Sequence, residues 1–206
     1  MSKLLKLARL AALGVSCALA GCVTAENSLT QNDIASMKLT GVTVSYAPDA
    51  FVQWEEGIRA YAVSKSITDD QIATGTNTPE GKAYVQNMLG LRIKAGVERA
   101  MAGQLNGSRP VRLDVVVRSF QITSAVQSIL IGAGRSMTAD ANLVDARTGA
   151  VIIAYPKVSV ALPAGSGLVG TAVQAAIDSA SEQNVTDKIV SSYGRDYRQW
   201  LLRGTS

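Results

Sequence analysis

Between residues 85 and 118 the spacing of the apolar residues changes from four to two. Val85, Leu89, Ile93, Val97, Met101 and Leu105 fall on one i+4 row, the mark of a helix with a single stripe to bury. Only a few residues later Val111, Leu113, Val115 and Val117 alternate with Arg112, Asp114, Val116 and Arg118, the mark of a strand with one buried face. A one-striped helix and a one-faced strand so close in sequence hide their apolar sides most readily against each other, which sets the fold class as α+β. The ends of the helix are written in the same stretch. Thr78 can cap, Pro79 is preset for a first helical turn, Glu80 suits the positive end of the helix dipole, and Asn106-Gly107 stops the run. Lys94, Glu98 and Arg99 lie off the row and read as solvent contacts.

The other elements arrange themselves around this pair. Leu39 to Tyr46 alternates with period two and reads as a first strand, and the row Phe51, Trp54, Ile58 and Tyr61 reads as a short amphipathic helix over 49–63. Residues 64–78 read as a polar loop, in which Asp69 and Asp70 are a weak cation-binding candidate against the plainer reading of solvated acids. Strands follow over 136–145 and 150–162, joined by the hairpin Asp145-Ala146-Arg147-Thr148-Gly149, and Pro156 marks an edge or a bulge in the second. Helical patterns run from Leu168 to Leu202 with an interruption near 182–186 or Gly194, and Tyr193, Tyr197, Trp200 and Leu201 share a face. The expectation is one α+β domain over 39–206, a small, mainly antiparallel sheet packed against one central helix and a C-terminal helix.

Residues 1–21 belong to a different logic. Lys3, Lys6 and Arg9 precede an apolar stretch from Leu10 to Ala20 that is too short to span a bilayer comfortably, the three-part shape of an export signal. It ends in Leu19-Ala20-Gly21-Cys22, which resembles the lipobox of bacterial lipoprotein precursors. That resemblance implies cleavage before Cys22, attachment of acyl chains such as palmitate to that cysteine, and a membrane as the first partner. Val23 stands where an aspartate would signal retention in the inner membrane, so the expected location is the outer membrane, facing the periplasm. Residues 22–38 read as a flexible tether, because 23–37 are polar and lack a sustained period. An ordinary signal cut after Ala20 or Gly21 would instead leave a free thiol.

Cleavage also changes what the composition means. Of 20 basic residues three leave with the signal while all 16 acids stay, so the formal charge falls from +4 to +1 and no electrostatic footprint for nucleic acid survives. Cys17 leaves, Cys22 is acylated and there is no histidine, which excludes His-assisted Ser or Cys nucleophiles and the usual zinc and transition-metal sites. Gly165-Ser166-Gly167-Leu168-Val169-Gly170 spells a dinucleotide fingerprint, but no second parallel strand with a terminal acid follows, and little nicotinamide cofactor exists outside the inner membrane. The glycines read as a tight strand-to-helix link. Ser166 lacks a histidine or a Ser-x-x-Lys pattern to activate it. Asp114 and Asp140 can share a sheet surface and do acid–base work, yet acids among Arg112, Arg118 and Arg135 are more often cross-strand partners. No catalytic residue, cofactor, nucleotide or metal is expected.

The stretch from Arg112 to Ala180 resembles a family of bacterial lipoproteins of unknown function. The residues that carry the likeness are Gly132-Ala133-Gly134-Arg135-Ser136, the hairpin Val144-Asp145-Ala146-Arg147-Thr148-Gly149, and Gly165-Ser166-Gly167. More distantly such chains resemble auxiliary lipoproteins of envelope transport and secretion systems, which implies a scaffold or accessory role and supplies no catalytic residues. The leading expectation is a non-enzymatic, lipid-anchored envelope protein that contacts protein partners. An auxiliary subunit or carrier in lipid or solute transport, or secretion, is the alternative, and a carboxylate-dependent hydrolase comes last. Ile129, Leu130 and Ile131, in the apolar run 128–134, are the candidate partner contact, with burial in the core as the competing reading.

Overall fold

The i+4 row forms one helix and the alternating run one strand of the same core. A computed structural model of the chain describes residues 26–122, 134–162 and 182–202. The elements are α1 (Gln31–Ser36), β1 (Met37–Trp54), α2 (Glu55–Ser64), a 3-10 turn (Asp69–Gln71), α3 (Ile72–Gly75), α4 (Pro79–Met101), β2 (Arg109–Ile122), β3 (Arg135–Asp145), β4 (Val151–Leu162) and α5 (Glu182–Leu202). The strands form one open sheet in the order β1-β2-β3-β4, with β1 parallel to β2 and the other two pairings antiparallel. The expected α+β architecture, a small and mainly antiparallel sheet with α4 and the C-terminal helix, is therefore present.

One face of the sheet carries the core. Val111, Leu113, Val115, Val117 and Phe120 of β2 and Met137, Ala139, Ala141 and Leu143 of β3 are fully buried beneath Leu89, Ile93 and Val97 of α4 and Ile189, Tyr193 and Tyr197 of α5. Phe120 breaks the odd-number pattern of β2 because a register shift between Val117 and Ser119 turns the strand by one residue. A second shift lies in β4 opposite Ala139 and Ala141, where Pro156 withholds a donor and Lys157 takes a φ of 52°. The bulge expected from Pro156 is thus found, on an edge strand. Gly149 has the positive φ that closes the Asp145 hairpin.

α4 and α5 run parallel and approach closely. A Cβ at Gly96 would clash with the Val190 side chain, and one at Gly194 would clash with Ala100, so neither position accepts a larger residue without parting the helices. Parallel direction follows from the pairs themselves, since Gly96 meets Val190, Gly194 meets Val97 and Ala100, and Arg198 donates to the Ala100 carbonyl.

Three boundaries differ from the sequence reading. The helix expected over 49–63 begins only at Glu55, because residues 51–54 pair with Ser119–Ile122 of β2; Phe51 points outward, 55% exposed, while Trp54 is buried. The apparent helical row joined two strand residues to two helix residues. Residues 64–78 hold the 3-10 turn and α3 as well as loop. The stretch read as a tether over 22–38 is folded from Asn27 onward: Asn27, Ile34 and Met37 are buried, and Thr30 and Asp33 close a capping box on α1. Its polar residues act through hydrogen bonds, which a periodicity count does not register.

Candidate functional site

Cys22 and the candidate contact Ile129, Leu130 and Ile131 lie outside the described residues, as do Ser166 and the glycines from 165 to 170. What the structure does place are the strand residues that flank those stretches in sequence and the point where the N-terminal segment joins the fold.

That junction is made by Asn27. Its side-chain amide donates to the carbonyls of Trp200 at 3.0 Å and Leu201 at 2.7 Å, while its Oδ1 accepts from the Leu29 amide at 3.0 Å. The final carbonyls of a helix have no intrahelical partner, so a buried amide at this spot meets a standing need at the end of α5. The same end of the molecule holds α1, the starts of β1 and β2, the close of α4 and the Asp145 hairpin. The Gly107 and Ser108 amides donate to the Met37 and Ser36 carbonyls, and the Ala146 amide donates to Pro110.

The opposite end is held by Trp54. Its indole Nε1 donates to Thr186 Oγ1 at 3.1 Å, both groups being buried, and this joins the last residue of β1 to the first turns of α5. The Arg92 guanidinium lies 5.5 Å from the Trp54 ring centre and pairs with Glu56. Ile122 pairs with both Trp54 and Arg135, and Arg135 with Leu162, so these strand ends lie together at this end of the sheet, across the domain from Asn27.

On the open face of the sheet the two carboxylates read as an acid–base candidate are on neighbouring strands, Asp114 opposite Asn142 and Asp140 opposite Val116. Each is taken up by a guanidinium. Arg112 donates to Asp114 at 2.6 and 2.9 Å with Thr43 Oγ1 at 2.6 Å, and Arg118 donates to Asp140 at 2.8 Å with the Lys157 amide, also at 2.8 Å. The Arg112 hydrogen bond holds Asp114 below the usual carboxylate range. Burial pushes Asp140 upward, but Arg118 and the Lys157 amide outweigh it and the net shift is downward. Neither group is set to hold a proton as a general acid would. Asp69 and Asp70 sit exposed on the 3-10 turn, and among the described residues no three His, Cys, Asp or Glu side chains converge as metal ligands.

A hollow of about 510 Å³ lies between the outer half of β1, α2, α3 and the start of α4, lined by Phe51, Val52, Ile58, Ile72 and Val85 with Lys82 at its rim. Its lining is mainly apolar, with Thr76, Asn77, Lys82 and Gln86 as the polar members. Sequence reasoning missed it, because α3 was read as loop and residues 51–52 as helix.

The match to a family model runs through these elements from the cap of α4 to beyond the end of α5, over residues 78–205, which is more than half of the chain. The chain belongs to the family of unknown function DUF6778. No curated protein matches it. Among solved structures this DUF6778 member is similar to protein XCC0632 of Xanthomonas campestris, a DUF330 protein, at 14% identity and a TM-score of 0.41 over 82% of this chain and 84% of that one. It is also similar to a candidate lipoprotein of Caulobacter crescentus, at 18% identity and a TM-score of 0.33 over 57% and 85%. A third is lipoprotein GNA1162 of Neisseria meningitidis, at 16% identity and 0.22 over 71% and 96%. Among the described residues of the DUF6778 chain no helix is long and apolar enough to cross a membrane.

Proposed function

We propose that this protein is a lipid-anchored component of the bacterial cell envelope, acylated on Cys22, in the outer membrane facing the periplasm, and that it works by holding a binding surface for protein partners and not by catalysis. The observation that carries the reading is Leu19-Ala20-Gly21-Cys22 at the close of a stretch with the shape of an export signal, five positions before Asn27, the first buried residue among those described. An anchor of this kind confines diffusion and raises effective concentration, so a weak interface is enough for a working contact. The absence of histidine, the lack of any cysteine after Cys22 and the pairing of Asp114 and Asp140 with arginines all favour a binding role. The apolar run that includes Ile129, Leu130 and Ile131 is the candidate partner contact.

Two experiments test this. In cells grown with a clickable fatty acid, Cys22→Ser should lose all label and move the protein from the membrane to the soluble fraction; label retained on the variant overturns the anchor. Mild crosslinking followed by purification should recover one defined envelope protein, and a charge placed in the apolar run by Leu130→Asp should abolish that recovery while leaving the acylated protein on the membrane.

A second reading, a carrier of lipid or apolar solute for a transport or secretion system, is favoured by the hollow beside Phe51 and Val85. Native mass spectra of purified protein that show a bound lipid, lost in Val85→Arg, would move this reading ahead. A hydrolase would require Asp114→Asn alone to abolish a cellular phenotype without loss of stability.

A further inference from the structure

The attachment of Asn27 to the last turn of α5 limits how far the folded part can stand from Cys22. Five backbone steps separate the two residues, and an extended chain covers at most about 3.6 Å per residue, so Asn27 lies within about 18 Å of Cys22. α4 has 23 residues and at 1.5 Å each is about 35 Å long, with its last turn at the Asn27 end. The leash is therefore shorter than the domain. If Cys22 sits at the headgroup layer, as the proposed acylation requires, one end of the domain is kept beside that layer while the other stands clear unless the molecule lies flat.

Charge decides between standing and lying. The open sheet face is neutralised within itself by Arg112 with Asp114 and Arg118 with Asp140, which leaves it little to offer an anionic surface. The Asn27 end differs. Lys38 at the start of β1, Arg99 in the last turn of α4 and Arg147 at the tip of the hairpin are all exposed, and none is in an ion pair among the described residues. Arg109 is also exposed there, with Asp145 at 3.4 Å. The acids at this end keep their charge: Asp145 accepts from the Arg147 and Thr148 amides and pairs with Arg109, Glu98 lies 4.0 Å from Lys94, and Asp33 accepts from the Thr30 amide and hydroxyl, so among the described residues the three unpaired cations Lys38, Arg99 and Arg147 outnumber the acids left outside an ion pair, Asp33 and Glu26. Glu26 is exposed on the leash itself.

We propose that the Asn27 end, through Lys38, Arg99, Arg109 and Arg147, is a membrane-facing surface that rests on anionic phospholipid headgroups and stands the domain upright, with the Trp54 end directed away from the bilayer. The proposal rests on acylation at Cys22. Each cation near an anionic leaflet strengthens association roughly fivefold, so three together change it on the order of a hundredfold.

The test uses the acylated mature protein in vesicles of phosphatidylglycerol and phosphatidylcholine that carry a headgroup-level quencher. The mature chain has no thiol beyond Cys22, so Thr148→Cys and Val63→Cys each give one labelling site, the first on the hairpin and the second, 80% exposed, beside the start of α4. We expect a dye at position 148 to be quenched strongly and one at 63 weakly. The contrast should fade in pure phosphatidylcholine, at high salt, and in the combined variant Lys38→Gln, Arg99→Gln, Arg147→Gln, which stays on the vesicles by its acyl chains. Equal quenching at the two sites on vesicle-bound protein overturns the orientation, and a contrast indifferent to lipid charge overturns the role of the cations. Protein that does not stay on the vesicles at all overturns the anchor, a different failure with a different readout.

Discussion

Two phenols in the core of α5 have no visible use for their oxygens. Tyr193 and Tyr197 are fully buried, burial pushes both hydroxyls above their ordinary range, and neither oxygen has a hydrogen-bond partner among the described residues. A buried hydroxyl without a partner costs about 1–3 kcal/mol, so Tyr193→Phe and Tyr197→Phe should leave stability unchanged or raise it by up to that amount in urea unfolding. A loss above about 1 kcal/mol in either would show that its oxygen is satisfied. Asn27→Ala should act oppositely. It removes two hydrogen bonds to the end of α5 and one to Leu29, a loss of about 1–3 kcal/mol that should appear as faster hydrogen exchange in α1 and the final turn of α5. The buried face of α5 was legible in sequence because Tyr193, Tyr197 and Leu201 repeat at helical spacing. Asn27 and Thr186 were not, since a polar residue that is buried for its hydrogen bond looks in sequence like one that is exposed.

At the scale of elements, the strands whose side chains alternate against a single core face were readable to within one or two residues. β1 was not, for two reasons. Its second half departs from a regular ladder between Tyr46 and Phe51, around Pro48, and its parallel partner is reached only after α2, α3 and α4. Pairing partners so distant in sequence leave no local periodic trace. The open face of the sheet carries a pH dependence that can be worked out from its ion pairs. Asp114 and Asp140 have folded-state pKa values below their unfolded ones, so their contribution is complete above about pH 4, the unfolded range, and is lost as pH falls through the lower folded values. The urea midpoint should therefore decline as pH falls below about 4, and Asp140→Asn should flatten that decline while lowering the midpoint at neutral pH. An unchanged slope in the variant would assign the acid sensitivity elsewhere.

For the molecule as a whole, the contact between α4 and α5 is the joint that covers the sheet. Gly96→Leu should force the helices apart at Val190 and cost at least about 1–3 kcal/mol, the usual penalty of overpacking, with Gly194→Leu equivalent and the pair less than additive because both relieve the same contact. Additive losses in urea unfolding would mean that the two glycines serve separate contacts. The α+β class followed from the order of periodicities in the sequence, whereas the site proposed at Cys22 rests on the sequence alone; how the N-terminal segment meets the domain depended on Asn27, which no pattern marks. The parallel placement of β1 has a further bearing on how the chain assembles. β2, β3 and β4 are consecutive in sequence and neighbours in the sheet, so they can pair early, while β1 must close a long loop onto Arg109–Ile122 before it is rewarded. The strand nearest the N-terminus is thus the last to find its place, and residues 37–54 stay open to other contacts until the rest of the sheet exists to receive them.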